Sequence, residues 1–178
     1  MLMLALAPGC TPTVQEVVDE AVAGGFQGVM HVESAGEVLV YEAWGDAIEA
    51  GEDQPRTPHT TDTVFTVGSL TKQFTGALIL EARDRGFLAL DDTLADHFDG
   101  VPEDRAGVTI EQLLSHTGGF PGWLGMDEEV IGREDYLARA WETPLQNRPG
   151  RFYYSNPGYS LLAAILELRT GQDYESLL

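Results

Sequence analysis

The spacing of apolar residues changes along this chain, and each change marks an element. Val17, Val18, Ala21 and Val22 recur at helical spacing behind Thr13-Val14-Gln15-Glu16. That tetrad has the Thr and Glu of a capping box, and Gly24-Gly25 supplies a stop. Residues 26–33 and 38–44 are β-rich and are joined by Ser34-Ala35-Gly36-Glu37, which predicts a hairpin. From Gly45 to Thr63 the composition turns to Asp, Glu, Gly, Pro and Thr, the mark of a long connecting loop. A central helix is expected over 69–85 with Gly86 as its stop. Ala77, Leu78, Ile79 and Leu80 point in four directions around its axis, so this helix is expected to be enclosed on all sides.

A second capping box at Thr109-Ile110-Glu111-Gln112 predicts a short helix through Leu113 and Leu114, stopped at Gly118-Gly119. Tyr136, Leu137, Ala140 and Trp141 mark a further helix, and Pro144 and Pro149-Gly150 break the chain after it. The last helix starts near Pro157, with Tyr159, Leu162, Ala163 and Leu166 on one face and Gly171 at its end. Strands first and helices afterwards give an α+β fold, and 178 residues suffice for one domain with a sizeable core.

Composition narrows the partners. The net charge of −19 is spread along the chain, a surface that repels nucleic acid and anionic membranes. Met1 to Ala7 is apolar but far shorter than the ~20 residues of a membrane-spanning helix. Residues 1–12 read as a disordered arm or a signal-peptide remnant, and Cys10 after Ala-Pro-Gly offers an alternative lipid anchor. The location is periplasmic or secreted if a signal peptide precedes the chain, and cytoplasmic otherwise. A single cysteine excludes an internal disulfide. His31, His59, His97 and His116 lack metal-ligand spacing, so no metal is expected. No cofactor is expected either, as no Gly-rich phosphate loop is present. Oligomeric state is not legible.

Lys72 is the only lysine, beside nine arginines. Arginine does not deprotonate in proteins, so a chain that otherwise avoids lysine keeps one where an ammonium able to lose its proton is wanted. Ser69 lies three residues earlier, on the same helix face, and the pair offers a hydroxyl nucleophile beside an amine. The alternatives are Ser69 as a helix cap and Lys72 as a surface lysine, although a cation at a helix N-terminus opposes the helix dipole. At the head of an enclosed helix, Lys72 must either find a partner or shed its proton. Tyr154 and Asn156 stand two apart before the last helix, where an extended backbone would aim both at one cleft. The alternative for Asn156 is a plain N-cap ahead of Pro157.

Together these segments resemble a known superfamily. Phe65-Thr66-Val67-Gly68-Ser69-Leu70-Thr71-Lys72-Gln73-Phe74 and Gly86-Phe87-Leu88-Ala89-Leu90-Asp91-Asp92 are similar to serine β-lactamases and penicillin-binding proteins, in particular the class C β-lactamase-like branch. So are Leu113-Leu114-Ser115-His116-Thr117-Gly118-Gly119-Phe120-Pro121, with Gly118 where Ser is usual, and Tyr154-Ser155-Asn156-Pro157-Gly158-Tyr159. The resemblance runs from about Gly25 onward. It implies an antiparallel sheet flanked by helices plus an all-helical region. It further implies Ser69 as the acylated nucleophile, Lys72 and Tyr154 as the pair that handles its proton, and Asn156 as a contact for substrate and Lys72. The Ser69 N–H would be one of two oxyanion donors.

The expected substrate is a small amide or ester: a β-lactam, a short-chain ester or a D-peptide. His116 and His31 are expected to be structural, because a Ser–Lys–Tyr site already has its base. The family's Lys-Thr-Gly or His-x-Gly strand motif does not occur before Leu178. Residues 13–178 are therefore read as the N-terminal part of such a domain, incomplete at its C-terminus and impaired in turnover. The competing expectation is a non-catalytic relative: a sensor that is acylated without release, or a scaffold.

Overall fold

The computed structural model describes residues 11–48, 55–126 and 129–178. Cys10 and the apolar Met1–Ala7 stretch, with the signal or anchor readings attached to them, lie outside the described residues. The chain divides into two compact units, residues 1–66 and 67–178.

In the first unit, α1 (Val14–Ala23) begins at the expected capping box: the Thr13 side chain accepts from the Glu16 N–H, and the Glu16 carboxylate accepts from the Thr13 N–H. The hairpin follows as β1 (Gly28–Ser34) and β2 (Glu37–Trp44), antiparallel with Ser34 opposite Glu37 and a bulge at Val32/Glu33. Ala35 and Gly36 at its tip both have positive φ, the backbone a two-residue turn of this hand requires. The expected loop over 45–63 contains a second small pairing, β3 (Asp46–Ile48) with β4 (Thr57–Pro58). Strands of three and two residues are too short to show a period of two, which is why composition alone reads them as loop.

The second unit is helical. A 3₁₀ turn (Gly68–Leu70) leads into α2 (Thr71–Asp84). The short helices α3 (Leu94–His97), α4 (Glu103–Ala106) and α5 (Ile110–Leu114) follow, then α6 (Arg133–Glu142), α7 (Asn156–Thr170) and α8 (Tyr174–Leu177). The capping boxes of α3 and α5 stand side by side, with the Leu94 N–H on the Val108 carbonyl and the Ile110 N–H on the Asp92 carbonyl. The α3 and α4 helices, four residues each, were not legible from periodicity because one turn carries no repeat.

The expectation that α2 is enclosed on all sides is corrected. Thr75, Ile79 and Ala82 are buried along one face, while Phe74, Ala77 and Leu80 stay exposed among the described residues. An all-apolar stretch says what a helix can bury, not how many neighbours it has. The enclosed helix is α7, where Leu161, Leu162, Ile165 and Leu166 are inaccessible to solvent or nearly so. Each such side chain contributes about 1.5–3 kcal/mol of burial free energy. The expected one-sided face of α7 is correspondingly wider, since α2, α5, α6 and α8 all pack on it.

Two details fix the loop that follows α5. Buried Arg105 donates to the Ala140 and Thr143 carbonyls at 2.6 and 2.9 Å, capping the C-terminal end of α6. Gly118, where the family usually has Ser, sits so that an added Cβ would lie 3.0 Å from both Leu113 and Val108, so the departure matches tight packing here. Gly119 has φ +86°, and a Cβ there would fall 2.5 Å from the Asn147 carbonyl oxygen, a backbone atom. Gly119→Ala is therefore expected to lower unfolding free energy by about 2 kcal/mol or more, measured by denaturant titration, whereas Gly107→Ala, with open space around it, changes little.

Candidate active site

Ser69 lies in the middle of the 3₁₀ turn, after Gly68, whose φ of 50° lets the chain enter the helix there. One turn on, the Lys72 Nζ donates to Ser69 Oγ at 3.2 Å and to Asn156 Oδ1 at 2.7 Å. The Tyr154 hydroxyl donates to Ser69 Oγ at 2.9 Å. The four residues singled out from the sequence thus meet at one point, although Ser69 and Tyr154 are 85 positions apart.

The approach of Tyr154 and Asn156 follows from the backbone ahead of α7. Ser155 is extended (φ −135°, ψ 119°), so its neighbours project to one side while its own side chain turns inward. The buried Ser155 Oγ accepts from the Gly158 N–H at 3.1 Å. Ser155 is therefore the N-cap, and the alternative of Asn156 as cap is corrected. Asn156 occupies the first helical position, which leaves its side chain free to hold Lys72. Asn, Ser and Asp cap about equally well, so the sequence did not choose between adjacent candidates.

The loop after α5 supports this segment. The His116 carbonyl accepts from the Tyr153 N–H at 2.9 Å, and its Nδ1 accepts from the Ser155 N–H at 3.1 Å. The Gly122 carbonyl accepts from the Asn156 N–H at 3.2 Å. The His116 ring packs 4.5 Å from that of Tyr154 and 5.1 Å from that of Tyr159. His31 lies on β1 in the first unit, its ring 5.1 Å from Tyr41.

Among the described residues no carboxylate lies within ion-pair distance of Lys72. Its ammonium instead faces neutral oxygens and two aromatic rings, those of Tyr154 and Tyr159, at 5.1 and 5.6 Å. The Tyr154 hydroxyl is held below its ordinary value near 10, chiefly by the Ser69 hydrogen bond and then by Lys72. His116 is held below 6.5 by burial and secondarily by Lys72. An oxygen flanked by a phenol and an amine in this way has two routes for its proton, which is the requirement for an activated hydroxyl nucleophile.

Two cavities open beside Asn156. One of about 170 Å³ is walled by Trp123, Leu124, Met126 and Tyr136; Arg139 ties that wall together by donating to the Leu124 carbonyl and to Glu129. The other, about 220 Å³, lies behind Lys72, where Thr75 and Tyr174 share a 2.6 Å hydrogen bond. Among the described residues no group of three or more His, Cys, Asp and Glu is gathered as a metal ion would need. No described helix is long and apolar enough to cross a membrane.

Residues 14–178 match the family described as Beta-lactamase. Penicillin-binding protein 4* of Bacillus subtilis is 30% identical over 158 residues, which cover 84% of this chain and 34% of that protein. Penicillin-binding protein 4 of Amycolatopsis lactamdurans is 38% identical over 129 residues, 67% of this chain and 33% of that protein. The crystal structure of a penicillin-binding protein from Bacillus halodurans superimposes with a TM-score of 0.71 at 25% identity, over 90% of this chain and 52% of that one. This chain spans about a third of the length of those two curated relatives. By its sequence and its α+β fold, the chain belongs to the Beta-lactamase family of serine hydrolases, the kin of penicillin-binding proteins.

Proposed function

We propose that this chain forms an acyl-enzyme on Ser69 from a small amide or ester substrate. The observation that carries the reading is Ser69 Oγ accepting from both Lys72 and Tyr154 while Asn156 anchors the lysine. Once the Tyr154–Lys72 pair has given one proton to solvent, it takes the Ser69 proton as the Oγ–carbon bond forms, and the carbonyl electron pair moves onto its oxygen. Collapse of that intermediate breaks the carbon–nitrogen or carbon–oxygen bond, and the departing group takes the proton back. Water then repeats the sequence against the acyl ester, releasing the acid and restoring Ser69. The 2.9 Å contact serves with its proton on either oxygen, so Tyr154 acts first as base and then as acid.

Asn156 commits its Oδ1 to Lys72, which leaves its amide N–H groups to bind the substrate carbonyl. The family resemblance makes the Ser69 N–H one oxyanion donor. The cavity walled by Trp123, Leu124, Met126 and Tyr136 is small and mixed in character, with Glu129, Arg139 and Ser160 also lining it, and suits a short acyl side chain that carries a polar group. Candidate substrates are β-lactams, short-chain esters and D-peptides. Ser69 and Tyr154 are both exposed, so water weakens the fields acting on the developing charge, and turnover by this stretch alone is slow.

A second reading is a sensor acylated without release. It is favoured by the names of the relatives, which refer to binding penicillin. Incubating the purified chain with a chromogenic cephalosporin or ester and following intact mass separates the readings. The expected result is one acyl group on Ser69, absent from Ser69→Ala and released slowly. A persistent adduct would favour the sensor, and an unlabelled wild-type chain would sink both in favour of a scaffold.

A pH series gives a second expected outcome. Because the Tyr154 hydroxyl ionises below 10, acylation should rise with pH along a limb centred below that value. Tyr154→Phe should remove the limb and slow acylation by about 10²–10⁴-fold. In ultraviolet phenolate titrations, Ser69→Ala should move the Tyr154 midpoint up, since it deletes the largest cause of the shift.

A further inference from the structure

His116 takes no part in the proton transfers above, yet its backbone is the unusual one in this region. Its φ is +57°, a left-handed conformation uncommon among non-glycine residues, although histidine, like Asn and Asp, enters it more readily than most. Such an outlier at a site is grounds for asking what it holds in place. The bend lets one residue make three contacts at once. The carbonyl takes the N–H of Tyr153, the imidazole Nδ1 takes the N–H of Ser155, and the ring face lies against the ring of Tyr154 between them, tilted by 31°. On its other flank the imidazole packs on Tyr159, whose own hydroxyl is tied to the Leu114 carbonyl at 3.0 Å, and Phe152 meets it edge-on.

We propose that His116 is the positioning residue for Tyr154, holding the phenol oxygen at bonding distance from Ser69. The proposal rests on the acyl-enzyme reading for its consequence in catalysis, but not for the geometry it describes. A purely space-filling residue would need the ring alone. Here the acceptor nitrogen matters as well, because the residues on both sides of Tyr154 are pinned to the same side chain and carbonyl. The titratable groups facing the imidazole are Lys72 from α2, Tyr154, and Tyr159 from α7.

Nδ1 can accept only while it carries no proton. Protonation there would set a donor against the Ser155 N–H and release the segment. Since burial and Lys72 hold His116 below its ordinary value of 6.5, the clamp is intact at neutral pH and is lost as pH falls through that depressed value.

The test compares His116→Gly with His116→Asn in the full chain. Glycine adopts the same backbone and keeps the carbonyl but offers neither ring nor side-chain acceptor; asparagine tolerates the backbone and offers an amide oxygen. Folding is checked by far-ultraviolet circular dichroism. The Tyr154 midpoint is read as the phenolate titration of each protein minus that of its Tyr154→Phe counterpart. His116→Gly is expected to move the midpoint up toward 10 and to slow Ser69 acylation about tenfold or more. His116→Asn is expected to keep the midpoint close to wild type. Wild type is expected to show an acid transition of its tyrosine cluster in near-ultraviolet dichroism, and His116→Asn to abolish it.

A folded His116→Gly chain with an unchanged midpoint would overturn the proposal. If that variant does not fold, an acid transition persisting in His116→Asn would overturn it instead. Absence of acylation in every protein would defeat the hydrolase reading, while the titration would still decide whether His116 positions Tyr154.

Discussion

The site depends on an ammonium held against neutral oxygens. Lys72 is anchored by the Asn156 amide and reaches Ser69, with no carboxylate near it among the described residues to cancel its field. That field is felt by Tyr154 and His116, both of which it pushes toward their less protonated forms. A carboxylate in place of Asn156 would keep the geometry and quench the effect, because opposite charges a few ångströms apart neutralise one another. The neutral partner therefore does two jobs: it fixes the amine in space and leaves its charge available.

The scaffold explains why three separate segments converge. Ser69 and Lys72 share one helical turn, so their relation is local. Tyr154 and Asn156 are brought in by the extended strand ahead of α7, and that strand is shaped by the loop after α5. Tight packing at Gly118, the left-handed turns at His116 and Gly119, and the Arg105 cap on α6 all fix this loop against its neighbours.

Much of this was legible in the sequence, for physical reasons. Capping boxes at Thr13 and Thr109 are local patterns with local consequences, and both occur. The hairpin followed from two β-rich runs with a turn between them. Spacing of three on a helix paired Ser69 with Lys72, and spacing of two on an extended chain paired Tyr154 with Asn156; that the two pairs would meet was implied by the family resemblance. What stayed hidden was tertiary. The extent of burial of α2 and α7 depends on neighbours that hydropathy does not name. Ser155 caps α7 while the Asn156 side chain is held by Lys72, a tertiary contact that the local pattern does not carry. The bonds from His116 to Tyr153 and Ser155 leave no mark except a histidine just before Gly118-Gly119.

The α7 helix carries Asn156 at its first position and several fully buried side chains one to three turns later. Ile165 stands nine positions from Asn156, about 13 Å along the axis at the usual rise. A rod of that length transmits tilt. Shrinking a core residue at one end would swing the amide at the other end away from the amine. Core packing along α7 and the seat of the Asn156 amide against Lys72 thus share one rigid element, and a change to the first would be felt at the second.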